Sequence, residues 1–367
     1  MQQNILLMLS NKLIVFIIIS FLLACDSNLI YQKKDFIFGT MIEIKIYGED
    51  KTKSDIVSSE ILEEFHRLHQ LLHSWEKSSI TEINQAILKK QPINIDNEII
   101  HIIKDAQLLE KKTQSLFNPA IGKLIALWGF HSDHLPSSIP NRKKIINLVK
   151  SFPKMEDISI KDHLLISKNQ NVQIDLGGYA KGYSLDQAKK ILLQNNIKNA
   201  LINIGGNILA IGQHGNRDWV VGIQHPRAPN AIASISLKPG WSIGTSGDYQ
   251  KYFLAEPSDT SNEFILVKNQ RYSHLINPHT GFPENKTQSA TILIPPSDNS
   301  GVLSDVLSKP LFIETKDQKI TLAKKLNINH FLIIMADGSV MISQNMLNEI
   351  NWYDEPDAKN IITDERF

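Results

Sequence analysis

The chain has 367 residues, with 39 Lys and Arg set against 38 Asp and Glu for a net charge of +1. Balanced charge, with no basic stripe interleaved with aromatics, argues against nucleic acid as a partner. Cys25 is the single cysteine, so everything after it lacks a disulfide, a zinc–cysteine centre and a cysteine nucleophile.

In chain order, Lys12 precedes an apolar run from Leu13 to Leu23 that ends in L-L-A-C at Cys25. The run is eleven residues long, broken only by Ser20, and falls short of the roughly 20 needed to span a bilayer, but it suits the h-region of a signal peptide. Met8 is an alternative start that gives a shorter leader. Residues 1–24 therefore read as the leader, 25–35 as a polar tether, 36–345 as one folded domain and 346–367 as a polar, irregular tail.

Within the domain, Phe36 to Tyr47 alternates as a strand does, through Phe38, Ile42, Ile44 and Ile46. Ile56 to Leu72 and Ile99 to Leu109 carry apolar residues at helical spacing. Pro136 to Pro140 reads as a loop. Val172 to Leu176 reads as a short strand, followed by Gly177-Gly178 and a helix from Tyr179. Residues 199–211, 218–224, 231–237, 263–267 and 288–294 read as strands. Val302 to Phe312 is helical in pattern, with Pro310 expected to break or end it. A helix over 317–327 and a hairpin, Phe331–Met335 with Val340–Ser343, close the domain. Long returns between short strands argue for α+β, with mixed and antiparallel sheets and packed helices, rather than a doubly wound sheet.

Residues 174–183, I-D-L-G-G-Y-A-K-G-Y, are the richest in chemistry. A Gly-Gly step before a helix lets a ligand approach the backbone and aims helix N–H groups at an anion. Asp175 and Lys181 put both signs of charge there, which suits a phosphate ligand held with a cation. A plain glycine turn with a solvated lysine fits these ten residues equally well. His274, in Y-S-H-L-I-N-P-H-T-G, is a candidate general base fixed by a turn that Pro278 and Gly281 rigidify. A turn histidine satisfied by backbone is its alternative. The other histidines read as surface residues.

Seven segments in one order resemble the FAD:protein FMN transferase (ApbE) family. They are F-G-T at 38–40, H-S-W at 73–75, L-F-N-P-A-I-G at 116–122 with L-W-G-F at 127–130, the Asp175 block, G-T-S-G-D-Y at 244–249, Y-S-H-L-I-N-P-H-T-G-F-P at 272–283 and, less well, S-D-V-L-S-K-P-L-F at 304–312. The resemblance implies a single compact α+β domain that transfers FMN from FAD to a Ser or Thr hydroxyl of an acceptor protein, with release of AMP. FAD is then a substrate and Mg²⁺ a cofactor. The family's flavin contacts fall on Phe38, Trp75, Leu116, Phe117, Asn118, Asp175, Lys181 and Ile276, and its base falls on His274. Thr245 to Tyr249 is expected as a loop near the ligand. The metal ligands implied are the Gly178 carbonyl, Asp305 and Ser308, all oxygen donors suited to Mg²⁺. Asp305 as a helix cap is the competing reading.

Departures from the family pattern are informative. Trp75 replaces a tyrosine, Asn118 an aspartate, and Asn207 an acidic residue after paired glycines. Lys309 stands where a threonine is common, and a protonated lysine cannot ligate a metal. Activity is therefore expected to stay metal-dependent, with weakened Mg²⁺ affinity. L-L-A-C resembles a lipoprotein signal, which implies a lipidated Cys25. Asp26 after it implies retention at a bacterial inner membrane, facing the periplasm. The acceptors implied are flavoprotein subunits with a Ser/Thr motif. An FAD pyrophosphatase giving FMN and AMP, and a non-catalytic flavin-binding lipoprotein, are the alternative functions.

Overall fold

The computed structural model describes residues 30–132, 134–136, 138–254 and 270–356, and the backbone of 361–364. Cys25, the leader and the expected strand 263–267 lie outside the described residues. No described helix is long and apolar enough to cross a membrane.

The chain opens with a hairpin, β1 (Ile30–Ile37) and β2 (Thr40–Tyr47), paired antiparallel over its whole length. Most of the expected tether is thus strand, and the single strand expected from Phe36 is two strands. Phe38 and Gly39 form the turn, with φ of +56° and +69°. Two positive φ values are what a tight hairpin turn needs. Phenylalanine rarely takes that conformation, so the turn leaves no compositional mark.

β1 and β2 continue through β6 (Ala200–Ile204), β7 (Asn207–Ile211), β10 (Ser242–Gly247), β13 (Thr287–Ile294), β14 (His330–Met335), β15 (Val340–Ser343) and β17 (Ile361–Asp364). In that spatial order they make one nine-stranded sheet among the described residues. Its pairs are antiparallel except β15 with β17.

One face of the sheet lies under helices. α1 (Lys51–Leu72) and α6 (Ala180–Gln194) bury Val57, Ile61, Phe65, Leu185 and Ala188 against Ile42, Ile44 and Ile46 of β2. α7 (Ser300–Ile313) buries Val302, Val306 and Leu307 against Ala290, Ile292 and Ile294 of β13. The other face meets a small sheet of β8 (Trp219–Gln224), β9 (Ala231–Leu237) and β16 (Ile350–Trp352), where Val221, Ile223 and Ile235 pack on Ile243, Leu293 and Leu332. Covered on both faces, β13 is buried at all eight positions.

α2 (Ser79–Leu88), α3 (Asn97–Lys112), α4 (Gly122–Leu127) and α5 (Arg142–Ser151) lie in the segment that precedes α6, and α8 (Lys316–Lys325) follows α7. The remaining strands are β3 (Ile93–Asn94), β4 (Ile158–Lys161) and β5 (Leu164–Ser167), which form a small sheet, and the hairpin of β11 (Tyr252–Leu254) with β12 (Arg271–Ser273). The fold is α+β.

Two further expectations are corrected. α7 runs through Pro310 to Ile313, because a lost ladder bond and the ring's crowding of the carbonyl four residues back, about 3 kcal/mol, are offset by burial along nearly the whole length of α7. The expected irregular tail contributes α9 (Gln344–Glu349), β16 and β17, since pairing with β9 and β15 gives its backbone partners.

Candidate active site

The Asp175 segment is extended but is not a strand. Its backbone groups go to a neighbouring loop and to side chains. Asp175 N–H donates to the Pro119 carbonyl (2.8 Å), and Gln173 forms an isolated parallel bridge with Ile121. The Asn84 side chain accepts from Ile174 N–H (2.6 Å) and donates to its carbonyl (2.9 Å). The Asp175 carboxylate accepts from Trp75 Nε1 (3.1 Å) and from Gly177 N–H (2.8 Å). Desolvation still raises its pKa.

Gly177-Gly178 then leads into α6. Tyr179, at the cap position, supplies no side-chain hydrogen bond. The cap comes from another helix instead: Asp305 Oδ2, on α7, accepts from Gly182 N–H at 3.0 Å. The reverse also holds. Asp186, on α6, accepts from Gly301 N–H (2.7 Å) and Val302 N–H (2.9 Å) in the first turn of α7. The two helices cap each other, and Asp305 as a cap serves the opposite helix, not its own. The crossing is tight enough to require glycine: a Cβ at Gly182 would lie 2.5 Å from the Gly301 carbonyl oxygen, and one at Gly301 the same distance from that of Gly182.

The expected metal ligands gather around Lys309. Lys309 Nζ lies 2.6 Å from Asp305 Oδ1 and 2.6 Å from the Asp305 carbonyl oxygen. Its stem presses on Gly178, where a Cβ would meet Lys309 Cε at 2.8 Å and Phe117 Cε2 at 3.6 Å. Ser308 Oγ donates to the Asp305 carbonyl (2.9 Å) and touches Ser246 Oγ (2.8 Å). Both Asp305 carboxylate oxygens therefore have partners. No cluster of three or more His, Cys, Asp or Glu among the described residues is arranged to hold a metal. With an ammonium against the sole carboxylate, this donor set does not fit Mg²⁺, which needs near-octahedral oxygen ligands.

His274 follows β12. Its Nδ1 lies 3.1 Å from the Lys251 carbonyl, and its N–H donates to the same oxygen at 3.0 Å. A carbonyl can only accept, so Nδ1 carries the hydrogen and Nε2 the lone pair. Desolvation, helped by the charges of Lys181, Lys309 and Lys251, pushes its pKa down to about 4. The ring is neutral and able to take a proton at Nε2. Phe130 meets its ring edge-on at 6.4 Å and joins it to an aromatic shelf in which Phe253 lies 6.0 Å from Phe130 and Tyr272 stacks 5.5 Å from Phe253 and 5.8 Å from Trp128. Trp128 Nε1 donates to the Gly281 carbonyl (2.8 Å), which ties the turn after His274 to this shelf.

The other candidate residues separate by exposure. Trp75 is half-buried and stands 5.3 Å from the His131 ring, while Phe38 is half-buried 5.4 Å from His69. Lys181 is half-buried in the first turn of α6. Leu116, Phe117 and Ile276 are buried, Ile276 within the aromatic cluster beside His274. The Asn118 amide is used locally: it donates to the Pro153 carbonyl and accepts from Ala120 N–H, both at 2.9 Å. Thr245 to Gly247 is strand β10, not a loop, and Asp248 beyond it makes a two-pronged pair with Arg227 at 2.7 Å.

Sequence reasoning missed three contributors. Lys251 orients His274 through its backbone carbonyl, which leaves no side-chain signal. Asp186 caps α7 from 115 residues away. His73 is not a surface residue: its Nδ1 accepts from Trp75 N–H (3.2 Å) and Glu76 N–H (2.8 Å) and shapes the H-S-W turn.

Comparison with known proteins gives the family. Residues 38–332 match the model of the ApbE family. An FAD:protein FMN transferase of Rhodobacter capsulatus is 30% identical over 311 residues, 85% of this chain and 56% of that longer protein. One of Klebsiella pneumoniae is 27% identical over 73% of this chain and 78% of its own length. The crystal structure of the ApbE protein of Thermotoga maritima superposes with a TM-score of 0.76 at 29% identity, covering 88% of this chain and 99% of that one. The flavin transferase ApbE of Vibrio cholerae, at 22% identity and a TM-score of 0.72, shares the fold. The chain belongs to the ApbE family.

Proposed function

We propose that this protein transfers the FMN part of FAD to a Ser or Thr hydroxyl of an acceptor protein and releases AMP. The observation that carries the reading is the neutral His274, with its lone pair on Nε2 and its ring within reach of the charges of Lys181, Lys309 and Lys251, and with Lys309 itself lying against Gly178. The lysines attract a diphosphate, and the imidazole takes the proton from the incoming hydroxyl. The hydroxyl oxygen bonds to the flavin-side phosphorus as the bond from that phosphorus to the bridging oxygen breaks. The electron pair leaves with AMP, and the proton passes to His274 Nε2. Phe38 and Trp75 offer ring surface for a flat heterocycle. Asp175, Lys181, Leu116, Phe117 and Ile276 complete the proposed FAD site. The family implies Mg²⁺ at Gly178, Asp305 and Ser308, a donor set that the Lys309 ammonium on Asp305 makes unfit for it.

We propose further that Cys25 is lipidated and holds the protein at a bacterial inner membrane, facing the periplasm. The apolar run that starts at Leu13 and ends in L-L-A-C at Cys25 supports this. More than one acyl chain is needed for stable anchoring, at about 0.8 kcal/mol per buried methylene. Cys25→Ser should shift the protein from the membrane to the soluble fraction or block processing, and unchanged partitioning and mobility would refute it. The activity is tested by incubating the protein with FAD and an acceptor that bears a Ser/Thr motif, then weighing the acceptor. A mass gain of one FMN with AMP released is expected. FMN and AMP with no labelled acceptor would make the protein a pyrophosphatase instead.

A further inference from the structure

Lys309 occupies the place where the family's site implies a cation. Its ammonium bridges Oδ1 and the backbone carbonyl of Asp305, each at 2.6 Å, and only 17% of its side chain is exposed. Its stem fills the space that the missing Gly178 side chain leaves open, so the charge is held between α7 and the turn that starts α6. The fields of Lys181 and Lys309 both reach His274. An ammonium has three N–H donors. Two are used on Asp305, which leaves the third for a ligand oxygen. A divalent ion added here would find both Asp305 carboxylate oxygens engaged and would face an ammonium at close range.

We propose that Lys309 is the resident cation of this site: held by Asp305, it takes the diphosphate of FAD in place of a divalent metal, so the protein binds and cleaves FAD without Mg²⁺. The inference deepens the proposed function and rests on it for the identity of the ligand. It replaces the expectation, drawn from sequence, that the lysine merely weakens a metal site. A lysine supplies less charge than Mg²⁺ and no octahedral geometry. Lys181 and the opening turn of α6 are the neighbours that make up the difference.

The test measures FAD binding to the full chain by flavin fluorescence, in excess EDTA and in millimolar Mg²⁺. Wild-type affinity should agree within about twofold between the two buffers. Lys309→Thr should bind about tenfold or more weakly in EDTA and recover in Mg²⁺, and that recovery shows the variant to be folded. Lys309→Met should be weak in both. Wild-type binding that tightens about tenfold with Mg²⁺ would overturn the proposal. So would wild-type affinity of both variants in EDTA, which would make the Asp305–Lys309 pair structural only. Because binding needs no acceptor, the two readings fail separately. Lysine-dependent FAD binding in EDTA without any transfer defeats the proposed function alone, and transfer that requires Mg²⁺ defeats the resident lysine alone.

Discussion

The α6–α7 crossing and the aromatic shelf beside His274 are linked by the charges of Lys181 and Lys309, which reach the His274 ring, and they treat their buried polar groups differently. At the crossing, carboxylates are buried and given partners: Asp305 has Gly182 N–H and the Lys309 ammonium, and Asp186 has two backbone N–H groups. On the shelf, His274 is desolvated among lysines and receives one carbonyl, so its charge is suppressed. A site for an anionic ester needs both treatments. Fixed cations draw the ester in, and a neutral base beside them can accept a proton without first losing one.

The largest effect is expected from breaking the shelf side. His274→Ala should keep FAD binding and lose transfer by about 10²- to 10⁴-fold, the range for loss of a general base. The sign of the pH dependence follows from the low pKa. The imidazole is already neutral above about pH 4, so the acid limb of kcat/KM should fall well below the 6.5 of an ordinary histidine. Near-normal turnover in the variant would remove His274 from the reaction, and loss of FAD binding alone would make it a binding residue.

Breaking the crossing should cost stability first. Gly182→Ala places a methyl 2.5 Å from the Gly301 carbonyl oxygen, 2.7 Å from Val302 Cα and 2.8 Å from Asp305 Cβ. Two of these are backbone atoms that cannot swing away. Overpacking of this kind costs on the order of 1–3 kcal/mol, and it pushes Asp305 off the Gly182 N–H. Denaturant unfolding reads the loss, and a midpoint equal to wild type would show that the helices separate at little cost.

The two regions were unequally legible in the sequence. The shelf side could be read locally, because His274 sits among turn residues, Pro278 and Gly281, that announce a fixed loop. The crossing could not. Its caps, Asp305 and Asp186, act on helices far away in the chain, while the residues at the cap positions, Tyr179 and the cap-prone Asn299, make no side-chain cap bond. The Phe38 turn was hidden because an aromatic takes the left-handed conformation there. Residues 172–176 misled because an apolar run looks the same whether its backbone bonds go to a strand or to the side chain of Asn84. One signal was available and underused: Asp305 and Lys309 are four apart on a helix, the spacing at which opposite charges meet.

The smallest effect separates the two buried acids of the crossing. Asp186 has N–H partners but no ion pair, and burial pushes its carboxyl up to about 7 despite the Gly301 and Val302 N–H groups and the charges of Lys189 and Lys190 that pull it down. In the unfolded chain an aspartate titrates near 3.9. Between about pH 4 and pH 7 the native state therefore binds more protons than the unfolded state, and stability falls as pH rises through that window. Above it the carboxylate is ionised in both states, and below it the group is protonated in both, so the dependence flattens at each end. Asp186→Asn has no proton to exchange. Its stability relative to wild type should therefore improve as pH rises from 4 to 8, by on the order of 1–3 kcal/mol. Because the asparagine amide offers one acceptor where the carboxylate offers two, the variant also loses a cap bond at every pH, which offsets the curve without changing its slope. Parallel stability curves for the two proteins across that range would show that Asp186 stays ionised in the fold, and that two backbone N–H groups hold a buried charge without the ammonium that Asp305 has.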